Sequence, residues 1–348
     1  MFIKCLEEGL SYDDVLLEPQ YSDIRSRSEI DISTVLGEMY PTPQSMRLEM
    51  PILSSPMDTI TEDSMAIVMA EEGGAGIIHR YNTIDEQVQM VKNCNPFETL
   101  VGAAVGITGD YIERAVSVVN AGAYFICVDV AHGHHILMKE ALIELRKALA
   151  GTHIMAGNVA TLKGVNDLAD WGANSVRCNI GGGSICSTRI QTGHGMPGFQ
   201  TILECAKTDR DVGIIADGGI RNAGDIVKAL AAGADAVMCG SIFAGTAETP
   251  GRIFSENGAT WKTYRGMASK EAQFDWKGKY SSFEGVSSKV PYRGHVDLIL
   301  QDLKRNIKSG FSYSGARNVR ELQAKARFIK QTPAGTKESG THINSRKW

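Results

Sequence analysis

The chain has 348 residues, 43% of them hydrophobic and 22% charged, with a formal net charge of −4. This is ordinary globular composition with enough length for a large core, and no Lys/Arg run or basic arm is present, which argues against nucleic acid as a partner. Seven cysteines without a CxxC spacing argue against a disulfide framework or structural zinc. No apolar stretch reaches membrane-span length and no signal peptide is evident, so the expectation is no membrane and a reducing cytoplasm.

Residues 1–50 form a lead-in. Eight apolar runs follow: PILSS at 51–55, AGIIH at 75–79, LVGAAV at 100–105, YFICVDV at 124–130, HIMAGN at 153–158, SVRCNI at 175–180, GIIADGG at 213–219 and DAVMCGS at 235–241. Most are apolar throughout rather than alternating, as strands buried on both faces are. Between them lie amphipathic segments. In 61–72, Met65, Val68 and Met69 share a face, and Gly73-Gly74 offers a stop. In 83–92, Thr83 and Glu86 make a capping box ahead of Ile84, Val88 and Val91. Eight β-then-α units predict an α/β protein with a closed (β/α)8 TIM barrel; an open doubly wound sheet is the alternative. Residues 1–348 read as one catalytic domain. Segment 266–290 is a polar flap, and 291–348 hold helices near 297–308 and 318–327 and a tail.

Barrel active sites gather at the C-terminal strand ends. After strand six comes GGGSICSTRIQTGHGMPG at 181–198. Its glycines let backbone N–H groups approach a phosphate, Ser184 adds a hydroxyl, and Cys186 beside those dipoles is placed to act as a nucleophile. A glycine-rich turn with a buried cysteine is the plainer reading. After strand seven, Asp217 with Gly218-Gly219 suits ribose hydroxyls, and CGSIFAG at 239–245 follows strand eight. Loops seven and eight often hold phosphate, although Asp-Gly and Gly-Ser are also common turn pairs. After strand four, Asp129 could orient an amide or ammonium. His132, His134 and His135 lack the carboxylate frame of a metal site and read as polar loop residues. Asn158 ends strand five as a further hydrogen-bonder.

In these segments the chain resembles the IMP dehydrogenase/GMP reductase family. The likeness runs from LSYDDVLLEP (10–19) through LSSPMDTITE (53–62), GGGSICSTR (181–189), ADGGIRNAGDI (216–226) and GSIFAGTAETPG (240–251) to YRGMAS (264–269) and on to about residue 340. The resemblance implies that Cys186 attacks C2 of a purine nucleotide, GMP or IMP, and that hydride is exchanged there with a nicotinamide cofactor. Ser184, Gly219, Gly240, Ser241 and Tyr264 would hold the phosphate, and Asp217 the ribose. Met57 and Met267 would lie at the base, with Ser55, Gly218 and Gly266 beside the nucleotide. Asp129, Ala131, Asn158 and Gly181 would face the cofactor. Carbonyls of Gly181, Gly183 and Cys186 would hold a monovalent cation, K+. A homotetramer is the expected assembly.

The resemblance favours the reductase, with NADPH, over the dehydrogenase, with NAD. No regulatory domain pair interrupts the barrel. VDVAHGHH (128–135) and MAGNV (155–159) are similar to reductase segments. The flap is short, with 16 residues between Met267 and Glu284, and holds no Arg for a water-activating Arg-Tyr pair. Thr188 and Glu284 would form the reductase's proton relay. Against this, the 53–79 segment and KARFIKQTPAGTKES resemble the dehydrogenase, and Lys279-Tyr280 could imitate its pair. Asn179, Gly182 and Arg80 stand where the family usually has Gly, Pro and Lys.

Overall fold

The computed structural model describes residues 8–37, 46–97, 99–279 and 283–341. Cys5, Tyr280 and the end of the tail lie outside them. Eight parallel strands close into a barrel in sequence order: β1 (Ile52–Ser54), β2 (Ala75–Ile78), β3 (Val101–Val105), β4 (Phe125–Asp129), β5 (His153–Val159), β6 (Ser175–Cys178), β7 (Gly213–Asp217) and β8 (Ala236–Cys239). The barrel shuts where Val237 of β8 pairs with Ile52 of β1. Around it run α1 (Asp63–Glu71), α2 (Ile84–Cys94), α3 (Tyr111–Asn120), α4 (Ile136–Ala148), α5 (Leu162–Asp170), α6 (Thr188–Thr192), α7 (Gly198–Cys205) and α8 (Ala223–Ala231). The chain is therefore the expected (β/α)8 barrel.

All residues of β1, β2, β3, β6 and β8 are buried, because helices cover one face of the sheet and the barrel interior the other. Leu53, Ile77, Phe125, Cys127, Met155, Ile215 and Met238 belong to the inner cluster, while alternating residues such as Ile126, Ile154 and Val237 pack with the helices. Leu36, Met46 and Leu48 join the inner cluster from an antiparallel pair, 34–36 with 46–48. Leu36 lies against Gly213 at the start of β7, so this part of the lead-in plugs the N-terminal mouth of the barrel. The opposite mouth is left for ligands.

Interior space is tight. A Cβ built on Gly102 would stand 2.3–2.8 Å from the Phe125 ring. Gly102→Ala is expected to destabilise the fold by about 1–3 kcal/mol through overpacking. Urea unfolding checks this, and an unchanged midpoint would show that Phe125 can move aside.

Three strand expectations overrun by two residues at their C-terminal ends, and 51–55, 75–79 and 124–130 by one. Residues 179–180, 218–219 and 240–241 leave the sheet and enter loops. The left-handed Gly218 and Gly219, at φ +89° and +79°, cannot continue a strand. The 61–72 helix begins only at Asp63, because the Thr61 hydroxyl bonds the Ser55 carbonyl at 2.7 Å instead. The Thr83–Glu86 capping box at the head of α2 is present as expected.

Beyond β8, an antiparallel sheet of β9 (Phe254–Glu256), β10 (Ala259–Arg265) and β11 (Ser287–Pro291) carries α9 (Lys270–Lys277) between its last two strands. The flap segment thus contains a helix and most of a strand. α10 (Val296–Tyr313) and α11 (Val319–Lys325) match the two late helical expectations, and α12 (Pro333–Glu338) follows them. Among the described residues, no helix is long and apolar enough to cross a membrane.

Candidate active site

Period-2 alternation sets the floor of the site. Outward from Cys127 the next inward position on β4 is Asp129, and from Ile215 on β7 it is Asp217. Between these strands β6 points Arg177 inward, and Gly157 on β5 leaves it room, since a Cβ there would lie 2.6 Å from the Arg177 Cβ. The guanidinium donates to Asp129 Oδ1 at 2.6 Å and to Asp217 Oδ2 at 2.8 and 3.0 Å. Asn158 Nδ2 donates to the same Asp217 oxygen at 2.8 Å. Burial disfavours the Arg177 charge, but Asp217, the Cys127 sulfur and Asp129 outweigh it and hold the group well above its ordinary range.

Above this floor is a cavity of about 460 Å³, a volume typical of small-ligand sites. Cys186 lies in its wall. Among the described cysteines it alone is not buried. Burial pushes the Cys94 and Cys127 thiols up to about 12, and Cys178 and Cys239 are also raised by burial. Cys186 donates its S–H to Thr188 Oγ1 at 3.1 Å, and Thr188 donates its hydroxyl proton to Glu284 Oε2 at 2.6 Å. Glu284 comes from a distant segment that docks on the cysteine loop. Its carbonyl accepts the Ser187 N–H at 2.8 Å, the Val286 N–H reaches the Ile185 carbonyl at 3.0 Å, and Cys186 bridges to Gly285.

A second corner is built by β10. Lys262 is 2% exposed, and its ammonium donates to the carbonyls of Thr246, Ala247 and Thr249 after β8. Burial pushes its pKa down. Two residues on, the hydroxyl of Tyr264 meets Ser184 Oγ at 3.2 Å. It also stands over Gly240, where a Cβ would lie 3.3 Å from it. Arg265 holds Asp58 at 2.7 Å, and the Asp58 N–H reaches Met267 Sδ at 3.2 Å. This brings the 55–58 loop to the 265–267 loop, with Met57 and Met267 on one cavity.

All the residues expected from the sequence line this single cavity. Ser55, Met57, Ser184, Asp217, Gly218, Gly219, Gly240, Ser241, Tyr264, Gly266 and Met267 are among its lining residues. Asp129, Ala131, Asn158, Gly181 and Gly183 line it too, as do Cys186, Thr188 and Glu284. His134 instead bonds Asp167 at 2.7 Å and His135 caps α4. No cluster of metal-ligating side chains occurs among the described residues. Sequence reasoning missed Arg177 as a site residue. The available signal was one Arg inside the otherwise apolar run SVRCNI. It also left Arg80 and Tyr81 without a place, and both line the cavity. Arg80 leans on the Asp129 carbonyl at 3.2 Å.

A family model described as the IMP dehydrogenase / GMP reductase domain matches residues 9–342. An inosine-5'-monophosphate dehydrogenase of Nitrosopumilus maritimus is 33% identical over 474 aligned positions, covering 97% of this chain and 98% of that protein. A GMP reductase of Leishmania major is 31% identical over 492 positions, covering 98% of each. Among solved structures, a cysteine-to-alanine variant of GMP reductase from Trypanosoma brucei in complex with guanosine 5'-monophosphate has a TM-score of 0.90 and 30% identity. It covers 97% of this chain and 98% of that one. With motifs, barrel and cavity in agreement along nearly its whole length, the chain belongs to the IMP dehydrogenase / GMP reductase family.

Proposed function

We propose that this chain is a GMP reductase, which converts GMP to IMP and ammonia with NADPH. The family is one of oxidoreductases that act on purine nucleotides with a nicotinamide cofactor. The observation that carries the finer reading is the Cys186–Thr188–Glu284 chain of hydrogen bonds, with its thiol-to-hydroxyl-to-carboxylate direction.

In this reading the thiol proton passes through Thr188 to Glu284, leaving a thiolate to add at C2 of GMP. Glu284, at the end of this chain on the cavity wall, returns the proton to the departing amine as general acid. The nucleotide is held by backbone N–H groups of the 181–184 loop and by Ser184, Tyr264 and Ser241 at its phosphate. Asp217 takes the ribose with Oδ1, because its Oδ2 is occupied by Arg177 and Asn158. The cofactor, when bound, supplies hydride to C2. Asp129, Ala131, Asn158 and Gly181 would hold it, since their polar groups line the same cavity as Cys186. Carbonyls of Gly181, Gly183 and Cys186 are the candidate cation ligands, and the Gly183 carbonyl already accepts the Cys186 N–H.

The dehydrogenase is the second reading, favoured by the identity to the Nitrosopumilus protein. Both named relatives align over more positions than this chain has residues, so both carry sequence it lacks. The uninterrupted barrel therefore favours neither reaction. Lys279 is exposed and lies outside the cavity wall, and its neighbour Tyr280 lies outside the described residues.

Absorbance at 340 nm tests the reading. Purified protein with GMP and NADPH is expected to lose absorbance, and with IMP, NAD and K+ to show no gain. A gain only in the second cuvette would make the chain a dehydrogenase. Glu284→Gln is expected to lower kcat by about 10²–10⁴-fold with little change in GMP binding; an unchanged kcat would remove Glu284 from the relay.

A further inference from the structure

We propose that Asn179 is a positioning residue for the nucleophile, and that Asn179 and Gly182 act as one pair, in which the side chain at 179 requires its absence at 182. The proposal rests on the reading of Cys186 as nucleophile.

Asn179 follows β6 at the root of the cysteine loop and is 4% exposed. It carries two costs. Its φ is +157°, at the edge of the region that L-residues avoid. Its Oδ1 is buried without a hydrogen-bond partner. Such a residue persists when its surroundings hold it there for a purpose. Its Nδ2 donates to the Gly218 carbonyl at 3.3 Å, one residue past Asp217. The amide therefore ties the root of the nucleophile loop to the turn that presents the ribose carboxylate.

The loop closes over that amide. A Cβ on Gly182 would lie 2.0 Å from Asn179 Nδ2, 2.7 Å from Cγ and 2.8 Å from Oδ1, so a side chain at 182 must displace the buried amide. The loop also rests directly on the turn, since a Cβ on Gly218 would stand 3.1 Å from the Gly183 N. Gly183 in turn accepts the Cys186 N–H at 3.1 Å. Gly218, Asn179, Gly182, Gly183 and Cys186 thus form one continuous stack, and a change at either member of the pair reaches the sulfur.

The test compares Gly182→Ala, Asn179→Gly and the double variant. The readout is the rate at which 2-chloroinosine 5'-monophosphate labels Cys186, followed by peptide mass spectrometry. The thiolate adds at C2 and chloride leaves, so the signal does not depend on which reaction the enzyme catalyses. Gly182→Ala is expected to slow labelling by about tenfold or more, because small displacements of a reacting group are costly. Asn179→Gly alone is expected to slow labelling by about a few-fold, because the loop loses its tie to the Gly218 carbonyl; native-like labelling of that variant would end the positioning role. On its background the same alanine has room, so the double variant should label like Asn179→Gly and faster than Gly182→Ala. Equal labelling of Gly182→Ala and the native chain overturns the pair, and so does a double variant slower than Gly182→Ala. If Gly182→Ala fails to fold, the double variant must still fold and label like Asn179→Gly; failure there also overturns it. Absence of nucleotide-dependent labelling in the native chain would instead strike the nucleophile reading itself.

Discussion

Replacing Cys186 by alanine is expected to reduce turnover by at least about ten-thousand-fold, with nucleotide affinity within a few-fold of the native chain. The two effects separate because the sulfur and the binding groups come from different places. Asp217 is fixed from the floor by Arg177 and Asn158, and Tyr264 is placed by β10, neither through Cys186. No other described cysteine can substitute. Cys94, Cys127, Cys178, Cys205 and Cys239 are all buried, and burial keeps Cys94 and Cys127 protonated up to about 12. Turnover assays with calorimetric titration of GMP check both halves. Retained turnover would end the covalent scheme, whereas loss of GMP binding in a folded variant would show that the loop backbone depends on the thiol.

The barrel was legible because its strands are apolar on both faces. Val101–Val105 is buried throughout and reads that way in one dimension. The strand ends were less so. GIIADGG continues as an apolar run with turn residues attached, and only the positive φ of Gly218 and Gly219 separates strand from loop. The plug at the N-terminal mouth was hidden for another reason. Leu36, Met46 and Leu48 come from three-residue strands, too short for a period to register. The cavity-lining residues Cys186, Asp217 and Tyr264 could be singled out because they sit in motifs contiguous in sequence. Asn179 and Gly182 were visible as departures from the family pattern, but that they touch could not be read from a spacing of three. Arg177 showed only as a lone arginine in an apolar run, and its role was hidden for the opposite reason: its partners Asp129 and Asp217 are 48 and 40 residues away, and closure of the barrel alone brings them together.

That arginine yields the second large effect. Arg177→Met is expected to destabilise the fold by roughly 3–5 kcal/mol, the usual consequence of removing one partner from a buried ion pair. The side chains of Arg177, Asp129 and Asp217 are 7%, 18% and 13% exposed, so solvent cannot take over from the lost guanidinium. Among the described residues, Asp217 would then have no cation beside it, and Asp129 only the more distant Arg80 at 3.9 Å. The functional effect should fall on both ligands together. In the proposed reading Asp217 would lose the anchor that leaves Oδ1 for ribose, and Asp129 the donor that fixes it toward the cofactor, so KM for nucleotide and for cofactor should both rise. Arg177→Lys tests the geometry separately from the charge. A lysine is a point charge without the guanidinium fork, and it can serve one carboxylate well but not both at 2.6 and 2.8 Å. It should therefore keep most of the stability and still raise at least one KM. Urea unfolding with steady-state kinetics on the two variants decides the matter. If Arg177→Met unfolds at the native midpoint, the triad contributes nothing net to stability. If Arg177→Lys matches the native chain in both KM values, the floor needs only a positive charge and the fork geometry plays no part.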